Sequence, residues 1–170
     1  MAQPKPKDLG TEISRLDTQN PGSPSFELSD YPFYRLNRLS GRYASVMNSV
    51  LKPLSLDQLR WRVLMILGDQ ETCSISRIAD LAITQLSTIT RNVQRMQRDG
   101  LVELIRCASD NRVTEVSLTE HGRTIHQTVR SVASRVFQQA TSNLHADEVL
   151  LLSRLLENMH DSLAKSPYER

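Results

Sequence analysis

Cysteine is nearly absent: Cys73 and Cys107 are the only two in 170 residues. They stand far apart and without metal-ligand spacing, so a disulfide framework or a zinc site is not expected. Histidine gives no better metal site. His121 and His126 lie five apart, off a common helical face, and His145 and His160 have no partner at ligand spacing, so solvated or capping roles suit all four. No apolar run approaches the length that spans a bilayer, and the opening MAQPKPKDLG lacks the apolar stretch of a secretory signal, so a cytoplasmic protein is expected. A phosphate loop, a metal-ligand motif and a nucleophile signature are all missing, which speaks against an enzyme and against a bound cofactor. A large charge imbalance is missing too. With a formal net charge of only +2, any argument for a nucleic-acid partner rests on where the charges sit.

What remains is a soluble composition, 39% hydrophobic and 24% charged, in a chain long enough for one small domain with dimerisation arms. Residues 1–30 hold most of the prolines, with little periodicity, and read as a mobile arm. From Pro32 the residues Phe33, Leu36, Leu39, Tyr43, Val46 and Val50 recur in threes and fours, a helix with a heptad-like seam that Pro53 closes. Leu56, Leu59, Val63, Ile66 and Leu67 mark a second helix, for which Ser55 is the expected cap and Gly68 the expected end. A turn, DQET, then leads to Cys73 and Ser74.

Residues 75–100, ISRIADLAITQLSTITRNVQRMQRDG, organise the chain. Ile75, Ile78, Ala79 and Leu81 recur at helical spacing; after a break at 82–85, Leu86, Ile89, Val93 and Met96 do the same. Two short amphipathic helices joined this tightly form a helix-turn-helix. The inward stripe of the second leaves Gln85, Ser87, Thr88, Thr90, Arg91, Gln94, Arg95 and Arg98 outside, and no acid interrupts that face before Asp99. Hydroxyls, amides and guanidinium groups without carboxylates suit a major groove, where phosphates need cations and base edges need donors and acceptors. A solvated helix that happens to lack acids is the plain alternative.

The period then changes. LVELIR at 101–106 and RVTEVSL at 112–118 alternate as strands do, with Asp110, Asn111 and Arg112 at the tip of the hairpin they form. A hairpin directly after such a helix is a wing. Thr119 with His121 and Gly122 opens a long helix with Ile125, Val129, Val132, Val136 and Ala140 on one side. It breaks near Ser142-Asn143, and a last helix from Asp147 to Lys165 carries Val149, Leu152, Leu155, Leu156, Met159 and Leu163. The expected fold is mainly α with a small β-hairpin wing: a winged helix-turn-helix at 54–118 between dimerisation helices at 31–53 and 119–166. The terminal helices have more apolar seam than so small a module covers, which points to a homodimer.

This order of elements resembles the MarR (multiple antibiotic resistance regulator) family of bacterial transcription factors over roughly 34–163. QLSTITRNVQRMQRDGLVE at 85–103 looks like the family's recognition helix and first wing strand; DNRVTEVSLTEHG at 110–122 looks like its wing tip, return strand and Leu-Thr-x-x-Gly. The resemblance implies a DNA-binding regulator, a repressor released by a small molecule, acting on a pseudo-palindromic duplex operator. It makes Gln85, Ser87, Thr88, Thr90 and Arg91 recognition-helix contacts, Arg112 the minor-groove arginine of the wing and Asp110 the acid that orients it. An Arg at a hairpin tip fits the negative potential of a narrow minor groove. Arg95 is open between a phosphate contact and an internal ion pair. Two departures stand out: Ile83-Thr84 replaces a common Gly-Leu in the turn, and the wing tip has one Arg where many members have two.

The resemblance also implies an effector. Trp61-Arg62 is similar to the aromatic-plus-arginine pair of members that sense aromatic acids, where a buried guanidinium would fork onto a carboxylate. Arg38, Arg42, Tyr43 and Ser45 on the first helix are further candidates. The plain alternative makes Trp61 core and gives Arg62 an internal acid partner. Two other functions remain open: a redox-responsive regulator using Cys107 or Cys73, and a winged-helix protein-interaction module that binds no DNA.

Overall fold

The computed structural model describes residues 16–106 and 114–164. The chain divides into two compact units, 1–54 and 55–170. In the first, helix α1 spans Pro32–Leu51. Pro32 stands at the first helical position, where its missing N–H costs nothing, and the single-turn helix Lys52–Leu54, built around Pro53, ends the run. Leu36, Leu39 and Tyr43 lie exposed along one side of α1, whereas Met47 and Leu51 are buried. Composition places residues 16–30 in an arm, yet they are tied to the start of α1. Thr18 Oγ1 donates to Asp30 at 2.9 Å, Arg35 donates to the same carboxylate at 2.9 Å, and Phe26 meets Tyr31 edge to face at 5.7 Å.

The second unit opens with α2, Gln58–Asp69. Its cap is Asp57, whose carboxylate accepts from the Arg60 N–H at 2.8 Å. The expected cap, Ser55, instead turns the chain at φ +56°. Nor does Gly68 end the helix. A Cβ there would fall 2.1 Å from the His126 ring, so this glycine is the seat of a side chain from a later helix. His126 is accordingly buried rather than solvated.

Strand β1, Thr72–Ser74, follows, then α3, Ile75–Leu81, capped by Ser74 Oγ accepting from the Arg77 N–H at 3.2 Å. After a four-residue turn, α4 runs Leu86–Arg98. Strands β2, Val102–Arg106, and β3, Thr114–Leu118, complete an antiparallel sheet in the order β1-β3-β2. Val116 of β3 sits centrally, opposite Cys73 on one side and Leu104 on the other. The wing is therefore a three-stranded sheet, not only a hairpin. Three residues are too few to carry a period, so β1 reads from sequence as a turn.

Helix α5 spans Glu120–Ala140 and α6 spans Ala146–Ser162. Thr119 joins three elements. Its hydroxyl donates to the Gly100 carbonyl at 2.6 Å and accepts from the Gly122 N–H at 2.9 Å, while its own N–H donates to the Leu101 carbonyl. A Cβ on Gly122 would stand 1.9 Å from that carbonyl oxygen, which accounts physically for Leu-Thr-x-x-Gly as a motif. Val63, Leu64, Ile78, Ile89, Val93, Met96, Val116 and Val129 are fully enclosed and form the core of this unit. Each such side chain contributes about 1.5–3 kcal/mol relative to exposure. Helix α6 has no buried residue at all, and Leu150, Leu151, Leu152, Leu155 and Leu156 lie open along it.

Candidate nucleic-acid interface

Ile89, Val93 and Met96, all fully buried, fix the rotation of α4 about its own axis. That rotation exposes Gln85, Ser87, Thr88, Arg91, Gln94, Arg95 and Arg98, with Thr90 half-buried. The 13 residues of the helix contain no carboxylate, and among the described residues Arg91, Arg95 and Arg98 make no ion pair. Two of these arginines, Arg95 and Arg98, lie in the last turn, where a positive charge also suits the helix dipole. The result is a cationic, donor-rich face on a rigid element. Two expectations need correction. Leu86 was placed on the inward stripe but is 54% exposed, and Leu81 is open as well. Leu86 is the first residue of the helix, beyond the reach of the core that covers Ile89 three residues later. Thr90 donates its hydroxyl to the Leu86 carbonyl at 2.8 Å, so its proton is already engaged.

The turn before α4 is held from two sides. Thr84 Oγ1 and Arg62 Nη1 both donate to the Ala82 carbonyl, at 3.1 and 3.3 Å. Between them Ile83 adopts φ +51° and is 86% exposed. This is the left-handed region, which glycine enters freely and a β-branched residue does not, so a Gly at this place, as the family resemblance implies, would have a steric reason.

The far end of α4 is locked by a contact that the sequence reading missed. Arg60 Nη2 meets Asp99 Oδ2 at 2.6 Å, with the arginine side chain 10% and the aspartate 45% exposed. Arg60 Nη1 also donates to the Ser55 carbonyl at 3.3 Å. A signal was present: Arg60, Val63 and Leu67 step by three and four along α2, in line with Leu56 four residues before Arg60, which puts Arg60 rather than Leu59 on the inner face.

Asp110 and Arg112, the expected wing-tip pair, lie outside the described residues, as does Cys107. Of the effector candidates, Trp61 is half-buried and Arg62 is exposed, its one described partner being the Ala82 carbonyl rather than an acid. In the other unit Arg38, Arg42, Tyr43 and Ser45 are exposed on α1. Arg38, Arg42 and Ser45 line an open cleft of about 560 Å³ together with Arg35, Leu39 and Gly41. Cys73 is buried in β1, and burial pushes its thiol above the ordinary range. Arg77 opposes that shift and Glu115 adds to it. A protonated, enclosed thiol is a poor oxidant sensor. Burial, helped by Arg130, lowers the pKa of His126, which favours its neutral form.

A helix-turn-helix whose second helix is exposed and acid-free, followed by a β2–β3 hairpin, defines a winged helix-turn-helix protein. The MarR family profile matches residues 56–114. Over 144 residues the chain is 42% identical to the HTH-type transcriptional repressor IacR of Pseudomonas putida, covering 85% of this chain and 86% of that one. It is 26% identical to the homoprotocatechuate degradative operon repressor of Escherichia coli over 66% of this chain and 76% of the relative. A crystal structure of a mutant E. coli MarR complexed with operator DNA superposes with a TM-score of 0.68 at 27% identity, covering 76% of this chain and 94% of that one. The chain belongs to the MarR family.

Proposed function

We propose that the protein is a homodimeric repressor that binds a pseudo-palindromic operator and leaves it when a small effector, an aromatic carboxylate, is bound. The observation that carries this reading is the exposed face of α4, free of carboxylates and bearing three arginines with no ion-pair partner among the described residues. Two copies of α4 related by a two-fold axis would enter successive major grooves about one helical turn apart. Ser87, Thr88 and Arg91 then face base edges, Gln85 and Thr90 flank them, and Arg95 takes a phosphate. Arg112, oriented by Asp110, enters the flanking minor groove. The repressor names of the two curated relatives and the operator-bound MarR neighbour favour the same reading.

For the effector, the exposed Arg62 and the half-buried Trp61, adjacent in sequence on α2, are one candidate group, and Arg38 and Arg42 with Tyr43 and Ser45 on α1 of the other unit are a separate one. A relative named for a homoprotocatechuate operon makes aromatic acids the first compounds to try.

The experiment is duplex binding by the full chain, using DNA selected from a random library and titrated with salt. Affinity is expected to fall steeply, with a log–log slope near −0.9 for each phosphate neutralised. Arg112→Ala should weaken binding to all duplexes, whereas Thr88→Ala or Arg91→Ala should change which sequences are preferred. If no duplex is retained, the exposed face of α4 meets a protein instead. If Arg112→Ala leaves affinity and slope unchanged, the wing has another role. Calorimetric titration with a panel of aromatic acids tests the effector, and silence across the panel removes that part of the reading.

A further inference from the structure

Leu86 is an anomaly on α4. Every other outward residue of this helix is polar or cationic, yet its first residue is a leucine that the core does not cover. An exposed leucine alone means little, but a second observation points the same way. Thr90, one turn further on and on the same flank, has turned its hydroxyl back onto the Leu86 carbonyl. With that proton engaged, Thr90 has no hydroxyl proton to donate to a base, and its methyl is the group left to add to an apolar contact. Leu86 and Thr90 thus make an apolar flank beside the polar face of Ser87, Thr88 and Arg91.

Side chains on a helix lean towards its N-terminus, so Leu86 projects past the end of α4. That end of a recognition helix lies deepest against base edges. In a major groove the one apolar feature on a base edge is the 5-methyl of thymine, and aliphatic contact is how it is read. Resting on the reading of α4 as the groove-binding helix, we propose that Leu86 and the Thr90 methyl form a thymine-reading contact, so that part of the operator preference is apolar rather than hydrogen-bonded. The flank is continuous with the cationic face that would hold the phosphates, which selects a duplex edge as its occupant over an apolar peptide.

The test uses the duplex selected by the full chain, with each thymine replaced singly by uracil, which removes only the methyl and keeps the pairing. Binding is read by fluorescence anisotropy. One or two positions in each half-site should weaken wild-type binding about fourfold, the factor for one buried carbon group. Leu86→Ala should bind the original duplex more weakly and lose its sensitivity to uracil at one of these positions. Thr90→Ser keeps the hydroxyl and its bond to Leu86 while removing the methyl, and should lose sensitivity at a neighbouring one. If wild-type protein binds every uracil duplex as tightly as the original, the thymine contact does not exist and the groove assignment of α4 still stands. Sensitivity that persists unchanged in both variants would place the contact on other residues. Failure to bind any duplex would overturn both readings together.

Discussion

Ile83 shows at the scale of one residue how a local conflict is tolerated. It holds φ +51° in the turn between α3 and α4 with almost no packing in return. A left-handed residue other than glycine costs about 1–2 kcal/mol. Ile83→Gly should therefore stabilise the protein by about 1 kcal/mol, less than the full strain because glycine also gains freedom in the unfolded chain. Denaturant unfolding checks this through a higher midpoint at unchanged slope, and a lower midpoint would show that the isoleucine packs against something. Other single residues were legible for a different reason each. Pro32 at the start of α1 and Thr119 at the start of α5 act through the backbone beside them and read directly from sequence. Gly68 did not, because its reason is the His126 ring, 58 positions away in the chain.

At the scale of elements, the long amphipathic segments were the legible ones. Helices α1 and α5 begin at the residues their patterns imply, and the break before α4 falls at 82–85 as read. The misses are short or charged. Strand β1 has three residues and is defined by its partner β3, not by a pattern of its own. The Arg60–Asp99 pair joins α2 to the end of α4 across 39 positions: the period of α2 turns Arg60 inward, but nothing local names its partner. Because the guanidinium is enclosed and the carboxylate half open, removing the acid leaves a buried charge without its partner, while removing both costs less. Asp99→Ala is expected to destabilise by roughly 1–3 kcal/mol, reduced from the fully buried case by solvent at the aspartate. Adding Arg60→Met to that variant should recover part of the loss. A double-mutant cycle measured by urea unfolding gives the coupling, and additive losses would mean that the pair contributes no net interaction.

For the whole molecule, the proposed dimer rests on the apolar residues left open. Leu152 and Leu156 lie on α6, and Leu36 and Leu39 on α1, all exposed in the single chain. A second copy is the proposed cover, so Leu152→Glu with Leu156→Glu should yield a monomer by sedimentation velocity. Operator affinity should then fall by orders of magnitude, since two linked half-sites become one. A dimer that survives both changes would move the interface to α1. The hydroxyl of Thr119 adds a mechanical side to this assembly. It pins one end of α5 to the carbonyl just past α4 and to the first turn of α5 itself. A helix of 21 residues is a stiff rod about 31 Å long. A sideways push of about 3 Å at the far end, less than one base-pair step, turns such a rod by about 6° at its pinned end. Thr119 is thus the fulcrum at which a small sideways displacement of the far end of α5 would become a change of angle beside the carbonyl just past α4.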